Sequence, residues 1–160
     1  MKPLTCKTES AQQTMAFAGK IARTLKQGDV VALSGELGAG KTVFVKGMAY
    51  GLEVEKNILV TSPTFVILHE YPGKLPLYHF DFYRFQGREQ AEGIGYEEYF
   101  EGDGVCAVEW ADRFPEIFPP RTLWVNIEPL DESCRAFRIT PAEALADRWR
   151  EIEEAIKETG

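Results

Sequence analysis

The stretch Asp29-Val-Val-Ala-Leu-Ser34-Gly35-Glu-Leu-Gly-Ala-Gly-Lys-Thr42 decides the architecture of this chain. Asp29 to Ser34 is a short apolar run suited to a strand buried on both faces. Gly35 to Thr42 matches G-x-x-x-x-G-K-[ST] at every position, and Val43 to Leu52 reads as a helix. The spacing has a chemical reason. Small residues let successive backbone N–H groups curl round a phosphate, and the N-terminus of the following helix adds a favourable partial charge. Lys41 is then placed to reach the β- and γ-phosphates, and the Thr42 hydroxyl to ligate Mg²⁺. An incidental glycine-rich turn requires neither the strand before it nor the helix after it. The sequence therefore predicts a nucleoside triphosphate site.

Working outward, Ser10 and Gln13 form a capping box ahead of Met15, Ala18, Ala22 and Leu25 at helical spacing, with Gly28 placed to end that helix. Downstream, Thr64–Tyr71 and Leu75–Tyr83 are rich in aromatic and branched residues on either side of Pro72-Gly73-Lys74, which predicts a β-hairpin. The polar segment Gln86–Phe100 predicts one or two short helices. Val105–Val108 is a second buried-strand run, and Thr122–Glu128 with Cys134–Thr140 reads as a further strand pair. Thr140 with Glu143, and Pro141 at the first helical position, opens a last helix whose apolar face is Leu145, Trp149, Ile152 and Ile156. No repeat, low-complexity tract or linker interrupts the chain. The expectation is one domain over residues 1–160: a three-layer α/β fold with a mixed parallel and antiparallel sheet flanked by helices.

Two acids follow apolar strand runs. Glu109 ends Val105-Cys-Ala-Val108-Glu109, and Asp81 lies within Leu77-Tyr-His-Phe-Asp-Phe-Tyr-Arg84. Either carboxylate can hold Mg²⁺ directly or through water while the other orients the attacking water, and a strand-end pairing with Arg84 or Arg113 is the plain structural alternative. Trp110 follows Glu109, so stacking on adenine and packing in the core are both open. The hydroxyls of Thr61-Ser-Pro-Thr64 face the same choice between the γ-phosphate or metal and local turns. His69 and His79 have no cysteine or histidine company, so strand packing outweighs zinc binding. Arg84 and Arg88 can touch phosphate or form ordinary surface salt bridges, and the salt bridge is the plainer reading. The base is predicted to be adenine, because the chain lacks the N-K-x-D and D-x-x-G motifs with which Ras-like proteins read guanine and sense its γ-phosphate.

Composition narrows the function classes. With 18 Lys and Arg against 25 Asp and Glu, the net charge is −7, a poor basis for holding a nucleic-acid backbone unaided. No apolar run approaches the roughly 18–20 residues of a membrane span, and no secretory stretch follows the first lysine. Cys6, Cys106 and Cys134 are odd in number and far apart, which favours free thiols in a reducing compartment. These features predict a soluble cytoplasmic protein.

Taken together and in order, the Ser10–Thr14 helix start, G-E-L-G-A-G-K-T, T-S-P-T-F, Y-H-F-D-F-Y-R, the G-Y-E-E-Y-F of Gly95–Phe100 and the V-E-W of Val108–Trp110 resemble the bacterial TsaE family, also called YjeE. The resemblance implies an ATPase domain that takes ATP or ADP with Mg²⁺. It implies that Leu37, Gly38, Ala39, Gly40, Lys41 and Thr42 hold the phosphates and that Thr42 and Glu109 ligate the metal. It further places Trp110 and the backbone of Ala11 near the base, gives Asp81 a part in hydrolysis, and makes Thr61–Thr64 a switch-like loop. The family often carries a second threonine after the first, where this chain has Val43. The implied partners are TsaB and TsaD, in a complex that makes threonylcarbamoyladenosine in tRNA beside the anticodon, with tRNA met only indirectly. Two other classes compete: a P-loop small-molecule kinase, which needs an acceptor pocket and an arginine-bearing lid, and a nucleotide-binding scaffold without turnover.

Overall fold

The computed structural model describes residues 2–158. Seven strands form one sheet in the order β1-β7-β6-β2-β5-β4-β3. At its centre β6 (Thr122–Pro129), β2 (Val30–Ser34), β5 (Val105–Glu109) and β4 (Leu77–Asp81) run parallel. β7 (Arg135–Pro141) pairs antiparallel with β6, β1 (Leu4–Thr8) with β7, and β3 (Leu68–Tyr71) with β4. The sheet is therefore mixed, as the sequence predicts.

Alternation along the central strands builds two cores, one on each face. Val31 and Leu33 of β2 and Val105 and Ala107 of β5 face α1 (Ala11–Thr24), α2 (Lys41–Gly51) and α5 (Trp149–Lys157). Val30 and Ala32, with Cys106 and Val108, face α3 (Arg88–Gly93), α4 (Tyr96–Phe100) and the helical turns Ala111–Arg113 and Pro115–Ile117. This is the three-layer arrangement. In the first core, Phe44 lies two residues after Thr42, and its ring sits 6.2 Å from Phe17 of α1 and 5.9 Å from Phe137 of β7. Such ring pairs add about 0.5–1.5 kcal/mol each beyond their buried area. They fix the start of α2, and with it the phosphate loop, to the sheet.

Several local expectations are corrected. Ser10 Oγ accepts from the Gln13 N–H at 3.0 Å, but the Gln13 side chain accepts from Glu9 N–H rather than closing the box on Ser10. Helix α1 ends at Thr24, where Leu25 N–H bonds Ala22 O. Gly28 does not cap it: at φ +89° it turns the chain into β2 and donates to Gly104 O. The hairpin forms, but β3 begins only at Leu68, because Thr64–Ile67 is turn. Pro141 does not open the last helix; it ends β7 opposite Leu123. β1 pairs with β7 only as far as Ile139, so the missing proline N–H faces no strand there. The predicted face of Leu145, Trp149, Ile152 and Ile156 is buried, split between the helical turns of Glu143–Arg148 and α5. No helix among the described residues is long and apolar enough to cross a membrane.

Candidate active site

Parallel strands deliver the site. The register pairs Leu33 of β2 with Glu109 of β5, and Glu109 with Asp81 of β4. The carboxyl ends of three adjacent strands thus bring the phosphate loop and both acids to one edge of the sheet, where open α/β sheets hold their ligands.

The loop is shaped by glycines at positions where a side chain would be strained or crowded. Gly40 caps α2 at φ +108°, in left-handed territory. A Cβ on Gly35 would sit 2.5 Å from Ile127 O. Lys41 is buried, and its Nζ donates to Gly35 O at 2.6 Å and to Glu36 O at 3.0 Å while lying 4.0 Å over the Trp110 ring. Burial lowers the Lys41 pKa, opposed by the charges of Glu109, Asp81 and Asp112. From outside the loop, Arg135 Nε donates to Ala39 O at 2.7 Å. In a trans peptide the C=O and the following N–H point in opposite directions. Anchoring the Ala39 carbonyl therefore turns the Gly40 N–H away from Arg135.

The two carboxylates are buried and are paired with neither Arg84 nor Arg113. Both Glu109 oxygens lie 3.1 Å from Thr42 Oγ1, and Oε2 lies 2.5 Å from His79 Nε2. Asp81 Oδ2 accepts from Ser62 Oγ and Thr64 Oγ1, each at 2.9 Å, and Oδ1 accepts from the Tyr83 N–H at 2.8 Å. Arg113 donates to Tyr83 O, and Arg84 lies over the Phe65 ring. Arg88 pairs with Glu92 at the surface, and His69 bonds Tyr71 Oη and the Thr61 carbonyl.

A cavity of about 440 Å³ brings together Leu37, Gly38, Ala39, Gly40, Lys41, Thr42, Asp81, Glu109 and Trp110, with Ser62 and Thr64 on its wall. Ala11 lines a smaller neighbouring cavity of about 150 Å³ with Thr14, Glu132 and Ser133, and the two share Gly40, Val43 and Arg135 as a common wall. Trp110 and Ala11 thus line different cavities. The donor set fits Mg²⁺ rather than a protein-caged metal. Among the described residues no group of three or more His, Cys, Asp or Glu is placed to hold a metal. A hydroxyl and one carboxylate beside a phosphate cradle is the sparse protein share that Mg²⁺ takes when nucleotide and water supply the rest.

Sequence reasoning missed Arg135, which lies far from the loop in sequence and carries no local signal. It also left the Ser62 and Thr64 hydroxyls open and gave His79 no polar contact. The period-two spacing of His79 and Asp81 on one strand was the available clue, since it puts both on the face that Glu109 occupies.

Comparison with known proteins agrees with this geometry. A family model described as "Threonylcarbamoyl adenosine biosynthesis protein TsaE" matches residues 8–137. The tRNA threonylcarbamoyladenosine biosynthesis protein TsaE of Bacillus subtilis is 41% identical over 157 residues, covering 98% of this chain and 95% of that protein. The protein of the same name from Treponema pallidum is 40% identical over 136 residues, 85% of this chain and 99% of its own length. The crystal structure of Bacillus subtilis YdiB superposes with a TM-score of 0.78 at 37% identity, covering 98% of this chain and 95% of that one. A phosphate loop on β2, acids closing β4 and β5, and likeness along nearly the whole length lead to one conclusion: the chain belongs to the TsaE family.

Proposed function

We propose that residues 1–160 form one cytoplasmic ATPase domain that acts with TsaB and TsaD in the threonylcarbamoyladenosine modification of tRNA, without performing the transfer itself. The observation that carries the ATPase reading is the convergence of Lys41, Thr42, Asp81 and Glu109 on one cavity at the carboxyl ends of parallel strands. ATP is the substrate and ADP the product. The phosphates lie along Leu37 to Thr42, and the base extends into the smaller cavity at Ala11, with Trp110 beside the phosphates. Bound Mg²⁺ supplies charge neutralisation at the phosphate oxygens. Thr42 and Glu109 hold it. Lys41 leaves the Gly35 and Glu36 carbonyls for the β- and γ-phosphates. Asp81 orients the attacking water, with the Ser62 and Thr64 hydroxyls positioning its carboxylate. Positioning and electrostatics are most of what phosphoryl transfer needs from a protein.

Among the described residues, nothing supports the lid that the kinase alternative needs. Helices α3 and α4 bury Ala91, Tyr96 and Phe100 in the second core instead of arching over the cavity, and Arg88 is engaged by Glu92. The net charge of −7 leaves tRNA contact to the partners. The test is phosphate release from ATP by the purified chain, alone and with TsaB and TsaD, with no acceptor added. Slow release alone and faster release with both partners is expected. Release only with an added small-molecule acceptor would establish a kinase, and no release under any condition would leave a scaffold.

A further inference from the structure

His79 is fully enclosed, and a hydrogen bond from one ring nitrogen ties it to the site. Its Nε2 lies 2.5 Å from Glu109 Oε2, while Nδ1 has no hydrogen-bond partner. His79 pairs in register with Ala107, which stands two residues before Glu109 on the same sheet face. The ring therefore lies directly under the carboxylate. An orphaned nitrogen in a buried position costs stability and calls for an explanation. Its neighbours on this face of the sheet, Leu77 two residues before it on β4 and Ala107 in register on β5, belong to the first core, where an apolar side chain would carry no such cost. What the imidazole supplies, and an apolar side chain cannot, is an N–H donor to one oxygen of Glu109.

We propose that His79 is a positioning residue for the metal-holding carboxylate. In its Nε2–H tautomer it donates to Glu109 Oε2 and fixes the side-chain torsions, so that Oε1 stays directed at Thr42 and the metal position. Nδ1 is then the unprotonated nitrogen, which spares the interior an unpaired N–H. The proposal rests on the reading of Thr42 and Glu109 as the Mg²⁺ holders. A ligating carboxylate held by an outer partner follows the general pattern of metal sites, in which loss of that partner weakens metal affinity about 10–100-fold.

The test compares wild type, His79→Leu, His79→Gln and Glu109→Gln, titrating ADP affinity against Mg²⁺ and also in chelator. Leucine removes the donor; glutamine offers an amide N–H at the same reach. His79→Leu should raise the Mg²⁺ requirement about 10–100-fold with affinity in chelator unchanged, and His79→Gln should restore most of the loss. In wild type without nucleotide or metal, proton–nitrogen correlation spectra should show the Nε2–H tautomer. If Glu109→Gln shifts the Mg²⁺ requirement and His79→Leu does not, the positioning role falls while the metal reading stands. If Glu109→Gln shifts nothing, the metal reading falls and takes this proposal with it. Should His79→Leu fail to fold, the wild-type spectrum decides, and an Nδ1–H tautomer there overturns the proposal.

Discussion

Asp81 and Glu109 are register partners on β4 and β5, yet their carboxylates are tied to different parts of the molecule. Glu109 is held by Thr42 at the start of α2 and by His79 within the sheet. Asp81 is held by Ser62 and Thr64, on the exposed loop that leads into β3. That loop ends in Ile67 at φ +75°, a conformation costly for a β-branched residue, with its N–H bonded to Pro63 O. Both acids thus end central strands, but Glu109 is tied to α2 and the sheet, whereas Asp81, besides the Tyr83 N–H, is tied to a strained surface segment. The two should differ in what their loss does.

Glu109→Gln should weaken nucleotide binding in Mg²⁺ while leaving binding in chelator unchanged, since it removes a charge beside the proposed metal position and keeps the volume. Asp81→Asn should spare affinity in both conditions and lower turnover by about 10²–10⁴, the range for loss of a positioned acid–base group. Calorimetric affinities set beside turnover separate the two. Identical behaviour of both variants would contradict the division of roles.

Lys41→Ala should lower turnover about 100-fold or more, the scale on which a single transition-state donor is worth. The fold should survive. In the free protein the ammonium donates to the Gly35 and Glu36 carbonyls, which water can serve once the side chain is gone, and otherwise rests over the Trp110 ring. Matched circular dichroism and thermal melts check the second half.

What local patterns encode was legible in the sequence. The phosphate loop, the hairpin about Pro72–Lys74, the strand pair β6 and β7 and the acids at strand ends all rest on motifs spanning a few residues. β1 was not legible. Leu4–Thr8 has only the weak alternation of a short edge strand, and its pairing partner is β7, more than a hundred residues away. Pro141 followed the rule for a helix start, but pairing with Leu123 claimed it for the sheet. Arg135 reaches Ala39 through the fold alone. The glycines of α2 also escaped notice, because their reason lies on another helix.

Gly47→Ala makes that reason measurable. By helix propensity alone the change should stabilise by about 1 kcal/mol. A Cβ at Gly47, however, would stand 2.4 Å from Met15 O and 2.8 Å from Ala18 Cβ on α1. Forcing the two helices apart costs about 1–3 kcal/mol. A net loss is expected, lowering the melting temperature by about 2–4 °C per kcal/mol for a chain of this size. An unchanged or raised melting temperature would mean the helices can separate freely.

Tyr78 provides a pH-dependent test away from the site. Its hydroxyl donates to Asp103 Oδ1 at 2.5 Å, and this bond, with burial and the aspartate charge, pushes its pKa from 10.0 up to about 12. A raised folded-state value means the stabilisation is fully present below pH 10 and is lost as pH climbs towards about 12. Phenolate absorbance should therefore show Tyr78 lagging behind an ordinary tyrosine, identified by its loss in Tyr78→Phe. Asp103→Ala should bring its midpoint down.

Trp110 should report phosphate occupancy rather than base identity. Its ring lies 4.0 Å from Lys41 Nζ and 4.9 Å from the Tyr83 ring, on the wall of the larger cavity, while Ala11 lines the smaller one. When Lys41 moves onto a phosphate, the indole loses its cation and its emission changes. Inorganic pyrophosphate with Mg²⁺ should then reproduce most of the fluorescence change given by ADP, and adenosine alone should give little. Trp124 and Trp149 also emit, so the signal belongs to Trp110 only if Trp110→Phe abolishes it. Lys41→Ala should abolish it as well, because the cation–ring contact is its source. A strong response to adenosine, with none to pyrophosphate, would instead put the base against Trp110 and reverse the assignment of the two cavities.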